Sequence, residues 1–334
     1  MKIFITGATG FIGNHLVKRL FQTEHRLYCL VRKTSIASEQ LKKMGATIII
    51  GDITDKVSIL RAIKGCDWVF HLAGQYSFWE PNNNLYYDIN VNGTRNVMEC
   101  ALETNISKVV HVSTVGIYGK PVDCPFTEES KEGPVRFCVY FQTKYLCEQI
   151  VWDLLAKRGL PVVVVYPSAV LGPDDPKATG QYFSNFIHRK LPGTVFEDSI
   201  LTFVYVKDVA EVIVRAAEKQ NNIGEKYLIG KYRLSFREIN KMLSEISGVA
   251  IPKSHFPDTM TMFNAVLLTG LANLIKKSPP LGMSIDQMKV MREGFQVDGS
   301  KAERELGIIY TPIRNALQEV VESMKTSKKI LQEF

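Results

Sequence analysis

The sequence predicts an α/β protein: a doubly wound parallel sheet with a smaller, mostly helical C-terminal substrate domain. Three observations predict it. Short apolar, β-rich runs alternate with helical patterns through the first half, as βαβ units require. A glycine-rich turn separates the first such run from the first helical pattern. After Pro167 the alternation gives way to loops punctuated by Pro173, Pro176 and Pro192, followed by mostly helical stretches.

Strands are expected over residues 2–6, 27–31, 47–50, 68–72, 108–113 and 161–166, with helices between them over 12–21, 38–43, 56–63, 83–104 and 140–157. Val162 to Val165 form the unbroken apolar run of a strand covered on both faces. Beyond Pro167, 206–219 reads as a helix and 226–229 as a strand; 235–247, 260–275, 285–293, 301–306 and 313–324 read as helices. These patterns divide the 334 residues into a nucleotide-binding domain (1–166 plus 202–230), a substrate domain (167–201 plus 231–325) and a tail (326–334).

The net charge of +7 is spread along the chain, with no basic helix carrying interleaved aromatics, which argues against a nucleic-acid partner. Met1 runs directly into the first strand, so no signal peptide is expected. Six dispersed cysteines without a CxxC pair point to a reducing compartment, the cytosol, and away from zinc. The histidines show no metal spacing and read as structural; no metal is expected. Residues 259–275 carry no charge but fall short of the ~20 apolar residues a spanning helix needs. They read as a core or lid helix, with loose membrane contact as the alternative.

Thr6-Gly7-Ala8-Thr9-Gly10-Phe11-Ile12-Gly13 follows the first strand and opens the first helix. Glycines there let the backbone approach a pyrophosphate, whose charge the helix N-terminus favours, so this half is a Rossmann dinucleotide-binding unit. Tyr140 and Lys144 are four apart and share one helix face. An ammonium beside a phenol lowers its pKa, fitting Tyr140 for proton exchange with a carbonyl/alcohol pair. Thr114 ends the preceding strand, where its hydroxyl can bond the same oxygen; Ser113 points the other way by strand alternation.

The spacing of Gly7, Gly10 and Gly13, with Tyr140-Phe141-Gln142-Thr143-Lys144, resembles the extended short-chain dehydrogenase/reductase family. Gly51-Asp52-Ile53 resembles that family's adenine-contacting strand end, implying Asp52 and Ile53 at the adenine. His71-Leu72-Ala73-Gly74 resembles the segment lining the cofactor, and Asn90-Val91-Asn92 the helix whose first Asn supports the active site. The segment from His111 to Gly119 implies Thr114 as the catalytic hydroxyl, beside Tyr140 and Lys144. Pro167 through Pro173 resembles a later landmark, implying Pro167 and Val170 at the cofactor and Ser168 at the substrate.

Arg32 and Lys33 close the second strand where NAD-dependent members place an acid, and the next carboxylate is Glu39. Basic residues there accept a 2′-phosphate, so NADP(H) is expected over NAD. Sugar dehydratases of the family carry Asp-Glu after the catalytic Thr; Val115-Gly116 stands here. Nucleotide-sugar members carry an Arg shortly before the landmark at Phe203, where this chain has Ile200-Leu201-Thr202. What remains is similar to the dihydroflavonol-4-reductase-like and hydroxysteroid-dehydrogenase-like branch. It implies an oxidoreductase reducing the carbonyl of a hydrophobic or aromatic molecule. Tyr76, Phe78, Trp79, Leu171, Tyr182 and Phe183 are the expected apolar pocket. A sugar epimerase with tightly bound NAD and a cofactor-binding regulatory protein are the alternatives. The resemblance also implies a homodimer through helices 83–104 and 140–157.

Overall fold

The computed structural model describes the backbone of residues 1–332 and the side chains of residues 1–326. Among the described residues ten strands run in chain order as β1 (Lys2–Thr6), β2 (Arg26–Val31), β3 (Thr47–Ile50), β4 (Trp68–His71), β5 (Lys108–Val112), β6 (Val162–Pro167), β7 (Ala169–Leu171), β8 (Ile200–Tyr205), β9 (Lys226–Ile229) and β10 (Tyr232–Ser235). The helices that position the site are α1 (Phe11–Leu20), α2 (Ile36–Lys43), α3 (Lys56–Ile63), α4 (Asn84–Tyr86), α5 (Gly93–Glu103), α6 (Val139–Arg158), α7 (Ala178–Ile187), α8 (Val206–Glu218), α9 (Phe236–Ser247), α10 (Asp258–Ile275), α11 (Ile285–Glu293), α12 (Ser300–Leu306) and α13 (Ile313–Gln332). Between α4 and α5 the turn widens to a π-helix over Tyr87–Asn92.

Seven strands form one sheet in the order β3-β2-β1-β4-β5-β6-β9, parallel throughout. Strand alternation divides its side chains between two cores. Phe4, Val69, Val109 and Val164 face α3, α5 and α6; Ile3, Ile5, Val110 and Val165 face α1 and α8. Both faces are therefore dry, which is why the strands are apolar runs rather than alternating ones. The strand order reverses beside β1, and the crevice beyond the carboxyl ends of β1 and β4 is where ligands bind in such sheets.

Three strands form a second sheet in the order β10-β8-β7. Residues 202–205, grouped by the sequence reading with the nucleotide-binding half, lie in β8 and pair with β7 and β10, not with the large sheet. The C-terminal helix runs on to Gln332 instead of ending at Met324, since no proline or glycine interrupts it. Residues 333–334 of the expected tail lie outside the described residues. α10 is not a core helix: it buries only Thr261, Ala265 and Ala272. Among the described residues no helix is long and apolar enough to cross a membrane.

Candidate active site

The glycine turn is dictated by contact. Gly7 has φ +77°, and a Cβ there would stand 2.6 Å from the Ala73 amide nitrogen, so the loops after β1 and β4 touch backbone to backbone. A Cβ on Gly13 would lie 2.1 Å from the Gly7 carbonyl oxygen, so α1 sits directly on the turn. Gly10 differs: its Cβ would project into the crevice, meeting only the Gly7 oxygen at 3.2 Å. α1 begins at Gly10 with no side-chain cap and no acidic residue in its first turn, so its leading amides point unpaired at the crevice. That cradle fits a pyrophosphate. Gly7, Gly10, Phe11, Ile12 and Gly13 line the resulting cavity, whereas Thr9 is exposed and off its wall.

Below the cradle Thr6 Oγ1 lies 2.7 Å from His71 Nδ1 and accepts the Ala73 amide at 3.2 Å. His71 Nε2 lies 3.0 Å from Thr94 Oγ1. Burial, aided by the nearby Lys144 charge, pushes His71 down to about 3, so it is a neutral strut. This agrees with a structural role.

Opposite the cradle, α6 presents Tyr140 and, one turn on, Lys144. Both line the cavity, as does Thr114 at the end of β5. Lys144 Nζ donates to the Val112 carbonyl at 2.9 Å, tying helix to strand beside the cavity. Thr114 Oγ1 accepts the Gly116 amide at 3.3 Å, which leaves its own O–H to donate into the cavity. Asn90 is not on the wall. From the π-helix its Oδ1 accepts the Gln75 amide at 2.7 Å and its Nδ2 donates to Thr143 Oγ1 at 3.0 Å, so it clamps the loop after β4 to α6. A π-turn at a functional site re-aims a side chain in this way.

The electrostatics differ from the sequence expectation. Burial, and after it the neighbouring Tyr76 and Cys138, holds the Tyr140 hydroxyl well above a phenol's ordinary pKa. Burial likewise lowers Lys144, so its charge is the less able to draw a phenolate out. Both shifts favour the protonated form of Tyr140.

The other expected residues fall in two groups. Leu72, Gly74, Pro167 and Val170 line the cavity, and Ala73 packs against Gly7 behind it. Arg32 and Lys33 are exposed just past β2; Asp52 caps its own turn, its Oδ1 accepting from Thr54, and Ile53 is buried against Gly93. None of these four is on the wall. Among the residues expected at the substrate, Tyr76 packs at a tilt on Tyr140, with ring centres 5.0 Å apart, and edge-on to Phe78 at 5.5 Å. Tyr182 donates to Asn240 at 2.9 Å, and Ser168 lines the cavity while its buried Oγ finds no hydrogen-bond partner among the described residues. Phe183 also lines it, Leu171 is fully buried, and Trp79 donates to Asn273 at 2.9 Å.

Sequence reasoning missed much of the wall: Phe141, Phe203, Phe236 and Phe295 among the apolar groups, Asp175, Lys177 and Gln287 among the polar ones. Phe141 shares α6 with Tyr140, and the tertiary fold alone gathers the rest. Among the described residues no cluster of three His, Cys, Asp or Glu side chains could hold a metal.

Known proteins agree with this architecture. The NAD dependent epimerase/dehydratase family matches residues 3–230. A protein of Synechocystis sp. provisionally named a dihydroflavonol 4-reductase is 31% identical, over 95% of this chain and 93% of its own. Sterol demethylase protein B of Methylococcus capsulatus is 28% identical over 96% and 97% of the two chains. The crystal structure of gox2253 superposes with a TM-score of 0.82 at 32% identity, covering 97% of this chain and 98% of that one.

Proposed function

This chain belongs to the NAD dependent epimerase/dehydratase family, of the extended short-chain dehydrogenase/reductase type, and from that premise we propose that it reduces the carbonyl of a hydrophobic or aromatic molecule with NADPH. Membership makes it an oxidoreductase- or epimerase-type enzyme with a nicotinamide dinucleotide, NAD or NADP. When bound, the nicotinamide supplies the hydride.

The residues do the remainder. Tyr140 keeps its proton until the carbonyl oxygen gains charge, then donates it. Thr114 donates a hydrogen bond from the end of β5, and Lys144, anchored on Val112, fixes the helix face that carries Tyr140. Asn90 holds Gln75 and Thr143 in register around them. Arg32 and Lys33, free of any nearby acid in sequence, are suited to a 2′-phosphate.

One observation carries the choice of substrate class: a proton-donating phenol faces a cavity walled by aromatic rings, whose only charged lining side chains among the described residues are Lys144, Asp175 and Lys177. Without an arginine on that wall a sugar diphosphate has no bidentate clamp. Burial raises the Asp175 carboxyl above the ordinary carboxylate value, against the amides of Lys177 and Gly180. The names of the relatives, a dihydroflavonol reductase and a sterol-acting protein, support the same class. We further propose a homodimer through α5 and α6, and a reducing compartment in keeping with six free thiols.

A panel of ketones, dihydroflavonols, steroids and nucleotide sugars tests the reading. NADPH consumption with an aromatic or polycyclic ketone supports it; turnover of a nucleotide sugar alone, without net NADPH consumption, replaces it with epimerisation.

A further inference from the structure

We propose that α10 and the loop behind it seat this protein on an anionic lipid surface, with the mouth of the cavity turned toward the membrane. Phe263, Leu267, Leu271 and Leu274 follow one another at spacings of four, four and three, and so form one stripe along α10. They are 63%, 55%, 52% and 80% exposed, and Val266 beside them is 55% exposed. Single apolar residues on a surface are ordinary, whereas a contiguous stripe marks a binding face.

The charge pattern identifies the occupant. From Thr259 to Ile285 the chain contains no acidic residue, and its only charges are Lys276 and Lys277, both exposed where α10 ends. Leu281, 40% exposed, continues the apolar surface on the far side of these lysines. Lysines flanked in this way lay their stems along the apolar face and lift their ammonium groups to phosphates. A whole-chain charge of +7 favours an anionic surface as the occupant of this stripe.

Position gives the contact a purpose. Asn273 of α10 accepts the Trp79 indole N–H, and Thr269 Oγ1 accepts the Ile285 amide at 2.8 Å, so the helix is bonded to the rim. Ser278, Pro279 and Gly282, directly after α10, wall a vestibule with Tyr76, Phe78 and Gln287, which also line the active cavity. An apolar molecule dissolved in lipid would reach the phenol of Tyr140 through that vestibule without crossing water.

The test is co-sedimentation of the full chain with vesicles of phosphatidylcholine alone or mixed with phosphatidylglycerol. The parent should bind the mixed vesicles, less so as salt is raised. Leu267→Glu/Leu271→Glu should weaken that binding about tenfold or more. Lys276→Glu/Lys277→Glu should weaken it at least as much, on the anionic vesicles only. All four side chains are exposed, so each variant should keep the parental circular dichroism and thermal midpoint. Failure of the parent to bind, or undiminished binding by a folded leucine variant, overturns the proposal. So does a parental dimer that the leucine variant dissolves, which would assign the stripe to a second copy.

Discussion

His111 sits one residue from the carboxyl end of β5, fully buried, with neither ring nitrogen hydrogen-bonded among the described residues, and stacks on His71 at 5.2 Å. Burial, then the positive charge of Lys144, holds it neutral well below an ordinary imidazole. In the unfolded chain it titrates near ~6.5, so below that pH the unfolded state binds a proton that the folded state refuses. Stability is therefore full above the ordinary value and is lost as the pH falls through it. At about pH 5 the loss is RT ln(1 + 10^1.5), about 2 kcal/mol, and His71 adds a similar amount by the same route. His111→Phe keeps a ring against His71, removes two unpaired nitrogens, and deletes one of these losses. Urea unfolding followed by circular dichroism near pH 8 and pH 5 reads it out. The stability lost between the two pH values should shrink by about 2 kcal/mol in the variant, with no penalty near pH 8. Buried carboxylates such as Glu148 titrate in both proteins and cancel. An undiminished loss in His111→Phe refutes the reasoning.

Three further outcomes follow from the site and its surroundings. Arg32→Asp should cost about tenfold or more in NADPH affinity while sparing NADH, measured by fluorescence titration of both; equal affinities in the parent would remove the NADP assignment. Gly13→Ala forces a methyl to within 2.1 Å of the Gly7 oxygen. It should cost about 1–3 kcal/mol of stability and weaken dinucleotide binding, a parental thermal midpoint being the contrary result. Sedimentation velocity at micromolar concentration should show a dimer, and a lone 37.7 kDa species would count against α5–α6 pairing.

The nucleotide-binding half was legible because burial on both sheet faces writes strands as apolar runs, and because the Gly7, Gly10 and Gly13 spacing reflects contacts only hydrogen allows. Tyr140 and Lys144 were legible because a helix repeats near four. The small sheet was harder to read: β7 and β10 are only three and four residues long, too short for periodicity to declare. Nothing in Tyr87–Asn92 announces a π-turn, so the sequence does not show that Asn90 grips Gln75 and Thr143 behind the wall. The Tyr140 proton was misjudged in direction, since helix spacing reports the nearby ammonium but not the rings that bury the phenol. α10 was read as core or lid because it is apolar almost all round, and only the fold shows which face is left uncovered.

The central claim is that Tyr140 delivers the proton in carbonyl reduction, and one comparison tests it directly. With the ketone that the parent reduces fastest, single-turnover NADPH oxidation is measured for parent and Tyr140→Phe, with cofactor affinity measured separately. Phenylalanine keeps the ring against Tyr76 and removes only the hydroxyl. The account predicts that reduction slows by about 10²-fold or more while NADPH affinity stays at the parental value. Reduction at the parental rate would mean the proton comes from elsewhere, and would contradict the account.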